Sequence, residues 1–456
     1  MAVRINIENM PRSLIDKIHK DLRLKGTKKA RIAEMEVFNI DRGDGTSTKG
    51  LQAETDGKTR YSIPLVYAKG IINMKGMKEP KKVKYDILPS KFRNDKFCQQ
   101  EPVFKEAMQL LKEEQSVFLQ LHCGWGKTWM AITIAANMGL KTLILVHRTF
   151  LAEQFLTESN VIIPGQMVFL KDNETHLDYP NINMFVCTDG RAQKLSPSFC
   201  KSVDFIIIDE AKYWCTPTRV KSMLCFNPTH TMGLCAERKR KDGYGSILNL
   251  FFGKIIFRKS AKPFQVWKYF TSFTPKIEKA SYGRGKINWD VAMKSIAFNK
   301  KRNIMIRDIC RLRQGSKIMI LMTYKEHINE IKRLLEACGE SVGTFYGSQK
   351  NYKECRILLA TYSKAEMGFD DKNLCENFGG KRLDLLILGS FYKEEIEQSA
   401  GRVQRTDAPE IIDIVDNHST LRKHSATRDK WYKSRCGQVM PSEYFFPLND
   451  EDSDEE

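Results

Sequence analysis

The sequence predicts an α/β protein built from two parallel-sheet lobes behind a small N-terminal domain. Three observations carry that expectation. Short runs that are apolar throughout alternate with helix-patterned stretches from about residue 98, and strands without a polar face belong to parallel sheets covered on both sides. The same alternation restarts near residue 300, after a basic and irregular stretch from about 260 to 295. The chain has 456 residues, room for two or three domains.

Residues 1–85 are polar, with a glycine-punctuated loop (Arg42-Gly43-Asp44-Gly45) and a strand-like segment at 61–68, and are expected to form an accessory domain. Between Lys75 and Lys96 stand eight Lys/Arg against three Asp/Glu, a basic entry segment to the first lobe, 86–285. There Val103, Phe104, Ala107, Met108 and Leu111 recur at helical spacing. Strand-like runs follow at 117–121, 142–146, 184–186 and 205–208, with a helical stretch at 129–138. The second lobe, 286–446, has strand-like runs at 317–322, 356–360 and 385–388, and 447–456 is an acidic tail expected to be disordered. No repeat of solenoid period is visible.

Composition narrows the function. Lys plus Arg total 74 against 55 Asp plus Glu, a net charge of +19. Six negative charges lie in the last seven residues, so the remainder carries +25. That excess attracts polyanions and releases counterions when phosphates are neutralised; a basic solubilising surface accounts for the same numbers. No apolar run approaches the roughly 18 residues a membrane span requires. The N-terminus lacks the apolar stretch of a secretory signal, so a soluble, intracellular protein without membrane partners is expected. The twelve cysteines never stand in C-x-x-C spacing, which predicts reduced thiols with neither disulfides nor structural metal.

Three motifs carry chemistry. His122-Cys123-Gly124-Trp125-Gly126-Lys127-Thr128 follows a predicted strand and opens a predicted helix, the context a phosphate-binding loop needs. Gly124 and Gly126 let backbone N–H groups of the loop, Cys123 and Trp125 included, wrap phosphate oxygens at a helix N-terminus. Lys127 would neutralise the β- and γ-phosphates and the Thr128 hydroxyl would ligate Mg²⁺. Leu121 stands where such loops carry their first glycine. The second motif is Asp209-Glu210-Ala211-Lys212 at the end of an apolar strand, 82 residues after Lys127. Buried carboxylates are costly unless they serve an ion or a reaction: Asp209 would hold Mg²⁺ and Glu210 would polarise the attacking water. An isolated Asp-Glu pair also caps helices. The third is Gln398-Ser399-Ala400-Gly401-Arg402-Val403-Gln404-Arg405, with Arg402 and Arg405 three apart on one expected helical face, able to stabilise transition-state charge; an ordinary basic helix face has the same pattern.

Over about residues 98–420 these motifs give the chain a resemblance to superfamily 2 helicases and translocases. The resemblance implies two RecA-like lobes with ATP and Mg²⁺ at their interface and a nucleic-acid strand across their tops. Gln100 resembles the adenine-reading glutamine of that family. Val146-His147-Arg148, with Leu151 and Gln154, resembles motif Ia, and Thr188 the next strand-contacting threonine. Asp209 to Lys212 is similar to the DEAH-type box with lysine in place of histidine. Leu359-Ala360-Thr361, with Gly368-Phe369-Asp370, resembles motif V, giving Thr361 a strand contact and Gly368 and Asp370 places at the nucleotide. Gln398 to Arg405 is similar to the Q-x-x-G-R-x-x-R of motif VI, with Gln398, Arg402 and Arg405 in catalytic roles. Leu121-His122-Cys123-Gly124 resembles XPB-like helicases and the poxvirus-type transcript-release helicases of large cytoplasmic DNA viruses. Ile411 to Asp416, followed by Arg428, Trp431 and Tyr432, resembles the viral branch. That branch implies DNA rather than RNA, bound mainly through its phosphates, 3′-to-5′ movement, viral transcription machinery as partner, and the host cytoplasm and virion as location.

One segment departs from the family. Motif III reads G-L-T-A-T-P-x-R-x-D-G, whereas this chain has Gly233-Leu234-Cys235-Ala236-Glu237-Arg238-Lys239-Arg240-Lys241-Asp242-Gly243. The frame is kept, but both threonines and the proline are gone. Cys235 is a weak donor, and Glu237 brings negative charge toward Asp209 and Glu210. ATP hydrolysis is expected to survive, and the coupling to strand separation is the step placed in question. Two alternatives follow: a double-stranded DNA translocase that releases transcripts or polymerase without separating strands, and a catalytically inactive nucleic-acid-binding scaffold. The presence of Lys127, Asp209, Glu210 and Arg405 together argues against the scaffold.

Overall fold

The computed structural model describes residues 1–440 except 9, 29, 52, 75–77, 173, 239, 259–261, 279–286, 367–368 and 391–395. Gly368, the acidic stretch 447–456 and the side chain of Gln398 therefore lie outside the described residues.

Two compact units make up the chain, Met1–Lys259 and Ser260–Glu456. The division falls before the expected 285/286 boundary. Phe264–Phe270, placed by the sequence in an irregular basic stretch, is a strand between Glu410–Val415 and Gly437–Val439 of the second sheet. Its Phe264 and Val266 are buried in the second unit's core while Lys268 pairs with Asp429, so the basic composition concealed a buried strand.

The first unit holds seven parallel strands in the order Met167–Phe169, Met184–Thr188, Thr142–Val146, Phe205–Ile208, His230–Cys235, Ser116–Leu121 and Ile255–Arg258. Successive side chains of a strand point to opposite faces. Leu119, Ile144 and Ile207 accordingly pack with Ala131, Ile134 and Phe155, while Phe118, Leu143 and Ile206 pack with Phe199, Trp214 and Phe251. Both faces being apolar explains why these strands read as unbroken hydrophobic runs.

Residues 1–85 do not stand apart as an accessory domain. Ala2–Asn6, Arg60–Pro64 and Asn39–Asp41 form a three-stranded antiparallel sheet, and with helix Arg12–Asp21 they enclose a small core of Val3, Ile18, Leu22, Phe38 and Ile63. Ala2, Met35 and Val37 join the larger cluster on the first unit's main sheet. Of the expected strand at 61–68, only the part up to Pro64 is extended, and Leu65–Lys69 is helical.

The second unit repeats the plan. Its seven parallel strands run Val342–Phe345, Ile357–Thr361, Ile318–Met322, Leu385–Leu388, Glu410–Val415, Phe264–Phe270 and Gly437–Val439. Ile318 and Ile320 face helices Lys300–Leu312 and Lys325–Glu336, and Met319 and Leu321 face the cluster that contains Tyr432 of helix Ser419–Ser434. His327 is wholly buried there, with its Nε2 on the Asn303 carboxamide oxygen at 2.9 Å and its Nδ1 without a partner. Burial, helped by the Arg302 charge, pushes its pKa down to about 3. The unfolded chain takes up that proton near pH 6.5, so this contribution is complete above pH 6.5 and is lost as pH falls toward 3, by about 1.4 kcal/mol per unit. Thermal unfolding of the second unit is expected to shift downward between pH 6.5 and 5. In a His327→Gln chain the shift should be smaller, and an equal shift would contradict the assignment.

Candidate functional site

The predicted functional residues of the first unit gather at the carboxyl ends of its parallel strands, where open α/β sheets bind ligands. Ser116–Leu121 runs into the loop 122–126, which opens helix Lys127–Met138. Gly124 and Gly126 have φ of 77° and 95°, a left-handed conformation that glycine adopts without strain. A Cβ on Gly126 would also lie 2.7 Å from Gln100 Nε2. Trp125 is buried and fixes the loop: its N–H donates to His122 O at 3.3 Å, and its carbonyl accepts from Gln100 Nε2 at 3.0 Å. Cys123 is half-buried.

Gln100 opens helix Gln100–Glu114, and its Oε1 accepts the Arg93 N–H at 2.7 Å. A carboxamide has two donors and two acceptor lone pairs. These two bonds use one of each, leaving one of each for a base.

Lys127 turns back over the loop, with Nζ donating to Leu121 O at 3.2 Å and His122 O at 3.5 Å. Burial opposes its charge, but the field of Cys123, Glu210, Asp209 and Cys235 outweighs it and holds the ammonium above its usual pKa. Thr128 is the next residue of the same helix.

Asp209 directly follows strand Phe205–Ile208; its N–H donates to Leu145 O at 3.0 Å and its carbonyl accepts from Trp214 Nε1 at 3.2 Å. Burial, with the Glu210 charge beside it, pushes its carboxyl well above the ordinary range, against the pull of Lys127. Glu210 sits at φ 46°, ψ 50°, a conformation that costs a non-glycine residue energy and persists only where surroundings enforce it. The 3-10 turn Ala211–Trp214 follows, closed by Tyr213 N–H donating to Glu210 O at 2.9 Å. Glu210 stands at the N-cap of that turn but makes no side-chain capping bond.

The altered segment 233–243 lies against this pair. Cys235 ends strand His230–Cys235, and its thiol lies 3.7 Å from Glu210 Oε2 and 2.8 Å from Glu237 O. The expected intrusion of Glu237 on the carboxylates takes a different form: Glu237 Oε2 is 3.8 Å from Lys212 Nζ, the lysine that replaces the family's histidine. Two departures from the family pattern thus offset one another in charge. Gly233 remains glycine for a packing reason, since a Cβ there would lie 2.5 Å from the Phe118 ring.

Of the expected strand contacts, Arg148 is exposed and precedes helix Thr149–Ser159, while Thr188 ends strand Met184–Thr188 and accepts Arg191 N–H at 3.4 Å. Thr188 and Val146 are register partners, which brings these two segments to neighbouring strand ends.

In the second unit, Thr361 ends strand Ile357–Thr361 and accepts from Ser363 Oγ at 3.4 Å. The expected helical face carrying Arg402 and Arg405 is corrected. The helix covers only Glu397–Ala400, and 401–406 are successive turns closed by three-residue bonds such as Arg402 N–H to Ser399 O at 3.2 Å and Thr406 N–H to Val403 O at 3.2 Å. Both arginines still converge on one place. Arg402 Nη1 donates to Phe369 O at 3.0 Å, and Arg405 Nη1 lies 2.7 Å from Asp370 Oδ2, which Arg382 also approaches. Asp370 caps helix Asp371–Leu374, so its carboxylate is engaged by protein groups.

Residues 95–239 match the family model described as "Type III restriction enzyme, res subunit". The chain is 28% identical over 472 residues to "Putative helicase 161L" of Invertebrate iridescent virus 6, covering 96% of this chain and 99% of that protein. It is 27% identical to "Putative helicase 055L" of Frog virus 3, covering 75% and 80%. Among solved structures, S. cerevisiae Dbp5 bound to RNA and ADP BeF3 superposes with a TM-score of 0.53 at 12% identity, over 84% of this chain and 94% of that one. The chain is thus similar to superfamily 2 helicases of viral type. Both units have the RecA-like fold, with seven parallel strands each among the described residues.

The residues present fit a magnesium-bound triphosphate. The glycine loop offers backbone donors and an ammonium, and the buried carboxyl of Asp209, disfavoured as a lone anion, becomes favourable beside a divalent cation. Arg219 and Tyr213 stand outside every motif, whereas His147 lies within the segment that resembles motif Ia. Their meeting depends on contacts between separate strand ends, which no local pattern records.

Proposed function

We propose that this chain is a helicase that hydrolyses ATP in response to nucleic acid and moves along DNA, 3′ to 5′, in viral transcription. The observation that supports it is the placement of Lys127, Asp209, Glu210, Arg148 and Thr188 along one carboxyl edge of a single sheet, so that phosphate chemistry and strand contact share a scaffold. In this reading the loop amides and Lys127 hold the β- and γ-phosphates. Glu210 accepts the proton of the attacking water, whose oxygen bonds to the γ-phosphorus as the bond to the β,γ-bridging oxygen breaks and ADP leaves. Thr128 and Asp209 hold Mg²⁺, which supplies neutralising charge to the phosphates. Thr188, Arg148 and Thr361 grip strand phosphates, so binding carries little sequence preference and weakens steeply with salt. For Gln398, Arg402 and Arg405 the family pattern implies catalytic roles, and for Asp370 a place at the nucleotide.

The choice of DNA, the polarity and the transcription role rest on resemblance to the viral branch. ATP turnover measured beside single-stranded DNA, duplex DNA and RNA tests the first. DNA is expected to stimulate most, and stimulation by RNA alone would overturn it. The thiol of Cys235 in place of a hydroxyl near Glu210 favours a second reading, translocation on duplex DNA without strand separation. Triplex displacement without strand displacement is its signature, and Cys235→Thr should then raise the strands separated per ATP consumed.

A further inference from the structure

Arg219 joins two functional edges that the motifs leave unconnected. It lies on helix Pro217–Leu224, half-buried, and its guanidinium reaches in two directions. Nε donates to Asp189 Oδ2 at 2.6 Å, and Nη1 donates to Tyr213 O at 2.9 Å. Asp189 is the residue after Thr188, the expected strand contact. Tyr213 is three residues after Glu210, and its own N–H holds the Glu210 carbonyl at 2.9 Å. The Tyr213 ring is in turn stacked on His147, with centroids 4.6 Å apart and planes at 26°. His147 is the neighbour of Arg148, and burial pushes its pKa down to about 4, so the stacked ring stays neutral. Both strand-contacting segments of the first unit therefore end on Tyr213, and Tyr213 ends on Glu210.

We propose that Arg219 is a positioning residue that transmits polynucleotide contact at Thr188–Asp189 to the hydrolytic Glu210 through Tyr213. This rests on the nucleic-acid-dependent ATPase reading above. The physical case has three parts. Glu210 occupies a backbone conformation that its surroundings must impose, so a shift in the Tyr213 carbonyl or amide changes how firmly its carboxylate is aimed. A guanidinium holds two acceptors at fixed mutual geometry, which an ammonium on a flexible stem does not. The threonine hydroxyls that would otherwise connect the carboxylates to the rest of the site are absent from 233–243, leaving the Arg219 bridge as a direct hydrogen-bonded path between the two edges.

Coupling between two ligands is reciprocal, so it is readable in binding alone. The affinity of a labelled single-stranded oligonucleotide is measured by anisotropy with and without the β,γ-imido analogue of ATP and Mg²⁺. The full-length wild-type chain is expected to show a nucleotide-dependent ratio of dissociation constants. That ratio should shrink by about fivefold or more in Arg219→Ala and in Asp189→Asn, with no further loss in the double variant. Arg219→Lys keeps the charge beside Asp189 and serves where the alanine chain folds poorly; it should also lose most of the ratio, because one ammonium does not hold Asp189 and Tyr213 O in the same way. A wild-type ratio preserved in both Arg219 variants overturns the proposal. A wild-type ratio of one, with no stimulation of ATP turnover by any polynucleotide, instead overturns the nucleic-acid-dependent reading on which it rests.

Discussion

Replacing Lys127 by alanine is expected to cut ATP turnover by about a hundredfold to a thousandfold, the usual effect of deleting one preorganised charge at a reacting centre. The ammonium sits over the glycine loop in the negative field of Asp209 and Glu210, so its removal has two consequences. The γ-phosphate loses its positive partner, and the two carboxylates lose the cation that tempers their repulsion. The fold should survive, since Lys127 donates to the carbonyls of Leu121 and His122, which water can satisfy once the side chain is gone. Steady-state turnover, together with a thermal melt of the same preparation, separates loss of chemistry from loss of structure. Undiminished polynucleotide-stimulated hydrolysis by a folded Lys127→Ala chain would remove the site from this loop.

The largest stability effect is expected far from that loop, at Asp413 in the second unit. Its carboxylate is fully buried and accepts Arg428 Nε at 3.0 Å, Arg428 Nη2 at 2.6 Å and the Tyr432 hydroxyl at 3.2 Å. Arg428 and Tyr432 are four apart on helix Ser419–Ser434, one turn of helix aimed at one strand residue. Both sides of the ion pair are almost wholly shielded from water. Asp413→Ala leaves a buried guanidinium without its counter-charge and should destabilise the second unit by about 3–5 kcal/mol. Replacing both partners by apolar residues, Asp413→Leu with Arg428→Met, should restore much of the loss, because the cost lies in the stranded charge. Denaturant unfolding of the two variants decides this. A single variant losing under about 1 kcal/mol would show that the pair is not buried in solution.

In the sequence the residues of this pair stand out only through the resemblance to the viral branch. Nothing local to Asp413 announces that it faces a helix rather than solvent, since the run from Ile411 to Val415 reads as apolar on both sides of it. The same holds for Lys212 and Glu237. Each is a departure from the family pattern when read alone, and their mutual charge compensation becomes visible only when the 3.8 Å between them is measured. Arg402 and Arg405 illustrate the opposite error. Spacing of three placed them on a helix, but the helix ends at Ala400 and turns bring them to Phe369 and Asp370 instead.

What the sequence determined by itself was the part written in short-range pattern. Unbroken apolar runs are produced by strands buried on both faces, and glycines at 124 and 126 next to Lys127 and Thr128 by a loop that must close around phosphate. Both signals need only neighbouring residues, so they survive without coordinates. The tertiary structure alone decided which distant side chains meet: Arg219 with Asp189 and Tyr213, Cys235 with Glu210, Asp413 with Arg428, and Phe264–Phe270 with the second sheet rather than the first. Ion pairs and hydrogen bonds act over a few ångströms in space whatever the separation along the chain, and a linear pattern holds no record of that distance.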